Sequence, residues 1–185
     1  MFIFVVLAVA IGIAFARGGK FSRLAQINFR LSALILAVFL IQVLIFSSPW
    51  QDDSQTRALT PYAYLLSLFL LLIALSQNQH LKGMRLITLG FALNALVIAL
   101  NGGYMPTTPE ARALAGQPVL APGAVRNNSI GAGADTRLVF FSDIFAIPKG
   151  LPFPNVFSVG DVLIALGAAY LIYKGMRGPD GLYDS

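Results

Sequence analysis

The sequence has no cysteine and a single histidine, His80. Disulfides, thiolate metal sites and cysteine nucleophiles are therefore excluded. With one imidazole, neither a histidine-rich metal site nor a Ser-His-Asp triad is expected. Charge is scarce as well: 11% of the 185 residues are charged, eight of them acidic, against about 25% in ordinary soluble domains. What is abundant is apolar surface, with 57% hydrophobic residues. So few charges cannot cover a soluble domain of this size, and the chain is too apolar to stay disordered. The composition points to a membrane protein without a cofactor, in which any chemistry rests on carboxylates and amides.

A hydrocarbon core about 30 Å thick needs roughly 17–25 mostly apolar residues per helix. Five stretches are expected to span it, at about 1–15, 31–50, 61–76, 86–101 and 157–173, and the first four contain no acid. Basic residues in the short flanks set the orientation. Arg17, Lys20, Arg23, Arg30, Lys82, Arg85, Lys174 and Arg177 fall on one side; Arg57, Arg112, Arg126, Arg137 and Lys149 fall on the other. The first side is expected to be cytoplasmic, beside anionic lipid heads. The fold class is then all-α: one integral membrane bundle over 1–185, with the N-terminus outside, the C-terminus cytoplasmic and one long outer loop at 102–156. The expected location is the bacterial cytoplasmic (inner) membrane. Ala14-Phe15-Ala16 resembles a signal-peptide cleavage site, but the basic residues follow the apolar run rather than precede it, so a retained helix is expected. Trp50, Tyr62 and Tyr64 would anchor the outer boundary, and Tyr170 and Tyr173 the inner one. Pro61 is expected to open the third span, and Asn101-Gly102-Gly103 to end the fourth.

In the outer loop, Thr108-Pro109 and Gly116 frame one short helix as N-cap, first residue and stop. Residues 117–134 show no periodicity and are expected to be irregular and mobile. Gly131 and Gly133 do not follow a strand, so they make no phosphate-binding loop, and Asn127-Asn128-Ser129 matches the glycosylation acceptor pattern. Residues 138–141 and 144–147 are too apolar to project into water. They should lie in the outer interface or dip between helices.

A polar side chain within a span is a candidate functional residue, because burying it without a partner costs several kcal/mol. Gln42, Asn94 and Asn101 qualify, either as interhelical hydrogen-bond donors or as the lining of a ligand site. Asn94 and Asn101 are seven residues apart and share a helix face. Asp161 follows Ser158 by three residues, the spacing of a capping box. Asp143 lies 18 residues before Asp161, inside the apolar stretch. Were the chain to fold back so that the two met, one carboxyl would hold a proton at neutral pH. One member could then activate water while the other protonates a leaving group. Glu110, Asp135, Asp180 and Asp184 read as loop or tail solubility residues, and His80 as a solvated loop residue.

Two resemblances arise at these residues. The first apolar run followed by Arg-Gly-Gly-Lys-Phe-Ser-Arg-Leu, Asn-Gly-Gly-Tyr-Met-Pro at 101–106, Ser-Asp-Ile-Phe at 142–145 and Asn-Val-Phe-Ser-Val-Gly-Asp-Val-Leu-Ile at 155–164 resemble an uncharacterised family of small bacterial multi-pass membrane proteins. That family is a domain of unknown function, and the resemblance implies no activity. Ser-Asp-Ile-Phe followed by Phe-Ser-Val-Gly-Asp is also similar to the end of signal peptidase II. This resemblance implies an aspartyl dyad of Asp143 and Asp161 on the outer face, although Ser158 and Gly160 stand where that family has Asn and Ala. Three roles stay open: a packing or interaction role as a small subunit of a membrane complex, which leads; an aspartyl hydrolase; and a small-ligand binder or transporter. The expected partners are membrane lipids and other membrane protein subunits, with no nucleic acid.

Overall fold

A computed structural model describes residues 2–178 and Leu182, and for Ser48 the backbone only; Met1, Asp180 and Asp184 lie outside the described residues. The chain is mostly helical, and its long helices follow the apolar runs. In order the α-helices are α1 (Phe2–Ala16), α2 (Ser32–Ile45), the short α3 (Ser48–Asp52), α4 (Ser54–Ser76), α5 (Met84–Leu100), the short α6 (Pro109–Leu114) and α7 (Val159–Arg177). Among the described residues, α4 and α7 are long and apolar enough to cross a membrane, and α1, α2 and α5 are shorter apolar helices. Their outward faces stay apolar: Phe39 on α2 and Phe69 on α4 are each 61% exposed.

Two helix boundaries differ from expectation. The second apolar run breaks at Phe46 and Ser47, and Pro49 then sits in the first turn of the separate α3. Pro61 does not open its helix but lies inside α4. The true start is set by Asp53, whose carboxylate accepts from the Gln55 and Thr56 amides at 2.8 and 2.9 Å. A cap that satisfies two free N–H groups outweighs the one hydrogen bond the proline removes.

The closest helix pair is α5 with α7, and small residues explain it. Gly83 and Gly90 are seven residues apart, as are Gly160 and Gly167, so each pair repeats after two turns on one face. A Cβ on Gly167 would lie 2.6 Å from the Gly83 carbonyl oxygen, and one on Gly90 would collide with that of Gly160. The two antiparallel backbones therefore touch. At the basic end of the bundle, Arg17 and Arg177 both donate to the Tyr173 hydroxyl, at 3.1 and 3.0 Å. There the fully buried Asn78 ties Arg30, two residues before α2, to the end of α4. It donates to the Arg30 and Ala74 carbonyls and accepts from the Arg30 amide.

The long connection at the other end is more ordered than its composition suggests. Residues 117–134 are not irregular throughout: β2 (Val125–Arg126) and β3 (Ser129–Gly131) form a hairpin, and β1 (Met105–Thr107) joins β3 in parallel, in the order β1-β3-β2. A second pair, β4 (Phe145–Ile147) and β5 (Asn155–Phe157), is antiparallel. The fold is thus helical with two small sheets rather than all-α. Strands of two or three residues are too short to show alternation, and Asn127 makes its turn at φ +54°, which asparagine tolerates. Within the apolar stretch, Phe141 packs against the core formed by Ile45, Tyr64, Leu68, Val97, Ile98 and Met105, while Phe140 is 66% exposed.

Candidate functional site

The site begins at the start of α7. The Ser158 hydroxyl accepts from the Asp161 amide at 3.0 Å, and the Asp161 carboxylate accepts from the Ser158 amide at 2.9 Å. This is the capping box that the Ser-x-x-Asp spacing predicts, and it holds the carboxylate where the helix dipole favours a negative charge. Asn94, from α5, completes the arrangement. Its amide donates to the other Asp161 oxygen at 3.0 Å, and its carbonyl accepts from the Ser158 hydroxyl at 2.8 Å. Gly160 makes this reach possible, since a Cβ there would occupy the space of the Asn94 carbonyl oxygen.

Asp143 is placed by backbone pairing rather than by a helix. Its N–H donates to the Pro106 carbonyl at 3.0 Å and its carbonyl accepts from the Thr108 amide at 3.2 Å, so it extends the β1 edge. The chain then runs through β4, turns and returns along β5 into α7. The segment between the two acids thus folds back on itself, and both residues line the same two cavities. Burial and then the negative charge of Asp161 push the Asp143 carboxyl up to about 8, against the opposing pull of Arg112. Asp143 therefore holds its proton at neutral pH.

The cavities differ in character. The outer one, of about 470 Å³, is polar and is lined by Arg112, Arg126, Gln117, Asn127, Asn155 and the two acids, among others. The inner one, of about 280 Å³, lies between the helix ends and is walled mainly by Ile3, Leu68, Phe91, Ile98 and Ile164. Asn128, Asp143 and Asp161 line both, so they stand at the junction. Among the described residues, no group of three or more acidic or histidine side chains is placed to hold a metal ion.

Arg112 was not singled out as a site residue by its sequence, yet it is among the most telling. It is 5% exposed; its Nε donates to the Pro118 carbonyl at 2.7 Å and its Nη1 to the Thr107 hydroxyl at 3.4 Å. Burial and the like charge of Arg126 lower its affinity for a proton, and Asp143 opposes them. The one sequence signal lay in α6, where Ala111 and Ala115 mark an inward face beside it. Thr108, Pro109 and Gly116 take their expected places as cap, first residue and stop.

The remaining candidates are not gathered here. The Asn101 side chain donates to the Val97 and Arg137 carbonyls at 2.8 and 2.9 Å and accepts from the Arg137 amide at 2.9 Å. It pins the loop to the end of α5 and lines a different cavity, with Asp135 and Arg137. Gln42 donates to the Ser67 hydroxyl at 3.1 Å, joining α2 to α4. His80 is half-buried between α4 and α5.

Fold and site together define a class: a mostly helical chain, with two helices long and apolar enough to cross a membrane, carrying a charged cavity at one end of its bundle. Within that class, the chain belongs to the family of unknown function DUF5317, whose model matches residues 26–173. The matched stretch holds every cavity residue named above except Ile3, which lies on α1. No curated protein and no solved structure matches the chain.

Proposed function

We propose that this is a five-span membrane protein that holds an amphipathic molecule at the outer membrane surface. The polar part of that molecule would sit in the outer cavity and its apolar part between the helices. The observation that carries the reading is the junction: a polar and an apolar cavity share Asn128, Asp143 and Asp161. A molecule with one polar and one oily end satisfies both walls, whereas a purely polar ligand leaves the inner chamber unfilled. The exposed apolar faces of α2 and α4 support immersion in lipid, since an apolar surface of that extent is not tolerated in water. A packing role within a membrane complex accounts for those faces, but not for a charged cavity or the buried Arg112.

A photoactivatable fatty acid tests the reading in protein reconstituted into lipid bilayers. Crosslinks are expected at Phe91 and Ile164, and they should fall when the chamber is filled by Ile164→Trp. Crosslinks confined to outward residues such as Phe39 and Phe69, the same in both proteins, would reject it.

A second reading follows from the acid pair. Burial and the neighbouring Asp161 favour the protonated form of Asp143, and an aspartyl hydrolase uses such a pair of acids, one to activate water and one to protonate the leaving group. Asp143→Asn and Asp161→Asn would then each abolish hydrolysis of a bound ester or amide. Activity retained in both variants rules the hydrolase out.

A further inference from the structure

We infer that the polar end of the bound molecule is an anion of the phosphate class, held by Arg112 and Arg126. The inference rests on the amphipathic-site reading and adds the chemistry of the head. Its first support is Arg112 itself. Arg112 is 5% exposed as a residue, and a cation drawn in from water is costly unless it is paired, yet among the described residues Arg112 forms no ion pair. Its two hydrogen bonds go to a neutral carbonyl and a hydroxyl. The second support is Arg126, a strand residue that faces the same cavity from β2 and adds a like charge. Asp143 lines the same cavity and pulls on Arg112, but among the described residues it forms an ion pair with neither arginine, so the repulsion between the two cations is left for an anion to relieve. Asp161 forms no ion pair with either arginine among the described residues; its two oxygens are held by the Ser158 amide and Asn94.

Donor geometry favours phosphate over a simple carboxylate. Two guanidinium forks with the side-chain amides of Gln117 and Asn127 offer more N–H groups than the two oxygens of a carboxylate accept. A phosphate presents more oxygens. The apolar chamber just beyond the junction then takes the chain attached to that head. The same head chemistry could come from a lipid phosphate or from a soluble phosphate ester.

The test uses the full chain in bilayers of phosphatidylcholine, with one photoactivatable acyl chain carried in turn by phosphatidate, phosphatidylcholine and diacylglycerol. Crosslinking at Phe91 and Ile164 is expected to be about tenfold stronger for phosphatidate than for diacylglycerol, the size of effect that one charge-assisted contact gives. Arg112→Gln should bring phosphatidate down to the neutral level. Arg126→Gln should do so in part, and because Arg126 is exposed it keeps the test sound should Arg112→Gln fail to fold. Competition by inorganic phosphate would place the source in soluble esters, and its absence would place it in lipid; either supports the anion site. Equal crosslinking by all three heads, unchanged by both substitutions, overturns the anionic head while leaving the amphipathic site standing. No chamber crosslink with any head, alongside Arg112-dependent binding of inorganic phosphate, keeps the anion site and removes the apolar chain. Failure of both removes the two together.

Discussion

Asp143 carries a proton that its neighbours decide. The groups facing it are Asp161 at the start of α7, Arg112 on α6 and the Tyr64 hydroxyl from α4. Burial and Asp161 outweigh Arg112, so the native carboxyl sits near 8 where the free one sits at 3.8. In the window between these values the unfolded chain has lost the proton and the native chain keeps it. Stability therefore falls as pH rises through that window and levels off above about 8. Asp143→Asn cannot lose a proton, so this part of the pH dependence should vanish from it. Thermal midpoints in detergent, followed by the fluorescence of Trp50, are expected to converge between wild type and Asp143→Asn at acid pH. The wild type should fall increasingly below the variant as pH approaches 8. Parallel curves for the two proteins would mean that Asp143 is ionised throughout.

At the scale of elements, the α5–α7 contact holds the site together. Asn94 reaches Asp161 and Ser158 because Gly160 offers it no side chain. Gly160→Ala forces a methyl into that space and against the Gly90 carbonyl, 2.7 Å away. A cost of about 1–3 kcal/mol is expected, the usual range for overpacking a closed contact. Gly12→Ala on α1 meets nothing within 4 Å and should be neutral or slightly stabilising, because alanine is the better helix former. In an Asn94→Ala background the collision with the amide is gone, so Gly160→Ala should cost less there. Melting curves of the two singles and the double give this coupling directly; strict additivity would show that Asn94 and Gly160 do not share the contact. The same contact marks what the sequence made legible. Asn94, Gly160 and Asp161 stand out in apolar runs, and Ser158 announces its cap by spacing. Arg112 does not stand out: a lone cation in a six-residue loop helix looks solvated until β1 and the Pro118 turn close over it. The strands that carry Asp143 back to Asp161 pair Phe145 with Phe157 and Ile147 with Asn155, and nothing in a three-residue strand encodes its partner.

For the whole molecule, the five apolar runs were legible because their helices need no distant partner to be recognised. Which end faces which side of a membrane rests on charge alone. The basic end gathers Arg17, Lys20, Arg23, Arg30, Lys82, Arg85, Lys174 and Arg177, and the opposite end holds the cavity. The proposed orientation places the cavity outside. The absence of cysteine turns this into a direct experiment, since any thiol reagent reads only the residue introduced. Val119→Cys sits on the long loop at a site 54% exposed, and Gln77→Cys sits on the exposed end of α4 beside the basic residues. Neither side chain makes a hydrogen bond among the described residues, so both variants should fold. In intact cells a membrane-impermeant maleimide is expected to label Val119→Cys and spare Gln77→Cys, while permeabilised cells should label both. Labelling of Gln77→Cys alone would invert the bundle and move the two arginines and the acid pair to the cytoplasmic side. There the anion they meet would come from the cell interior, and the orientation would have to follow something other than the excess of basic residues. Labelling of both variants in intact cells would mean an even number of crossings between residues 77 and 119. In that event α5 would not span, and its seventeen residues would be held as a core helix by the glycine contact with α7.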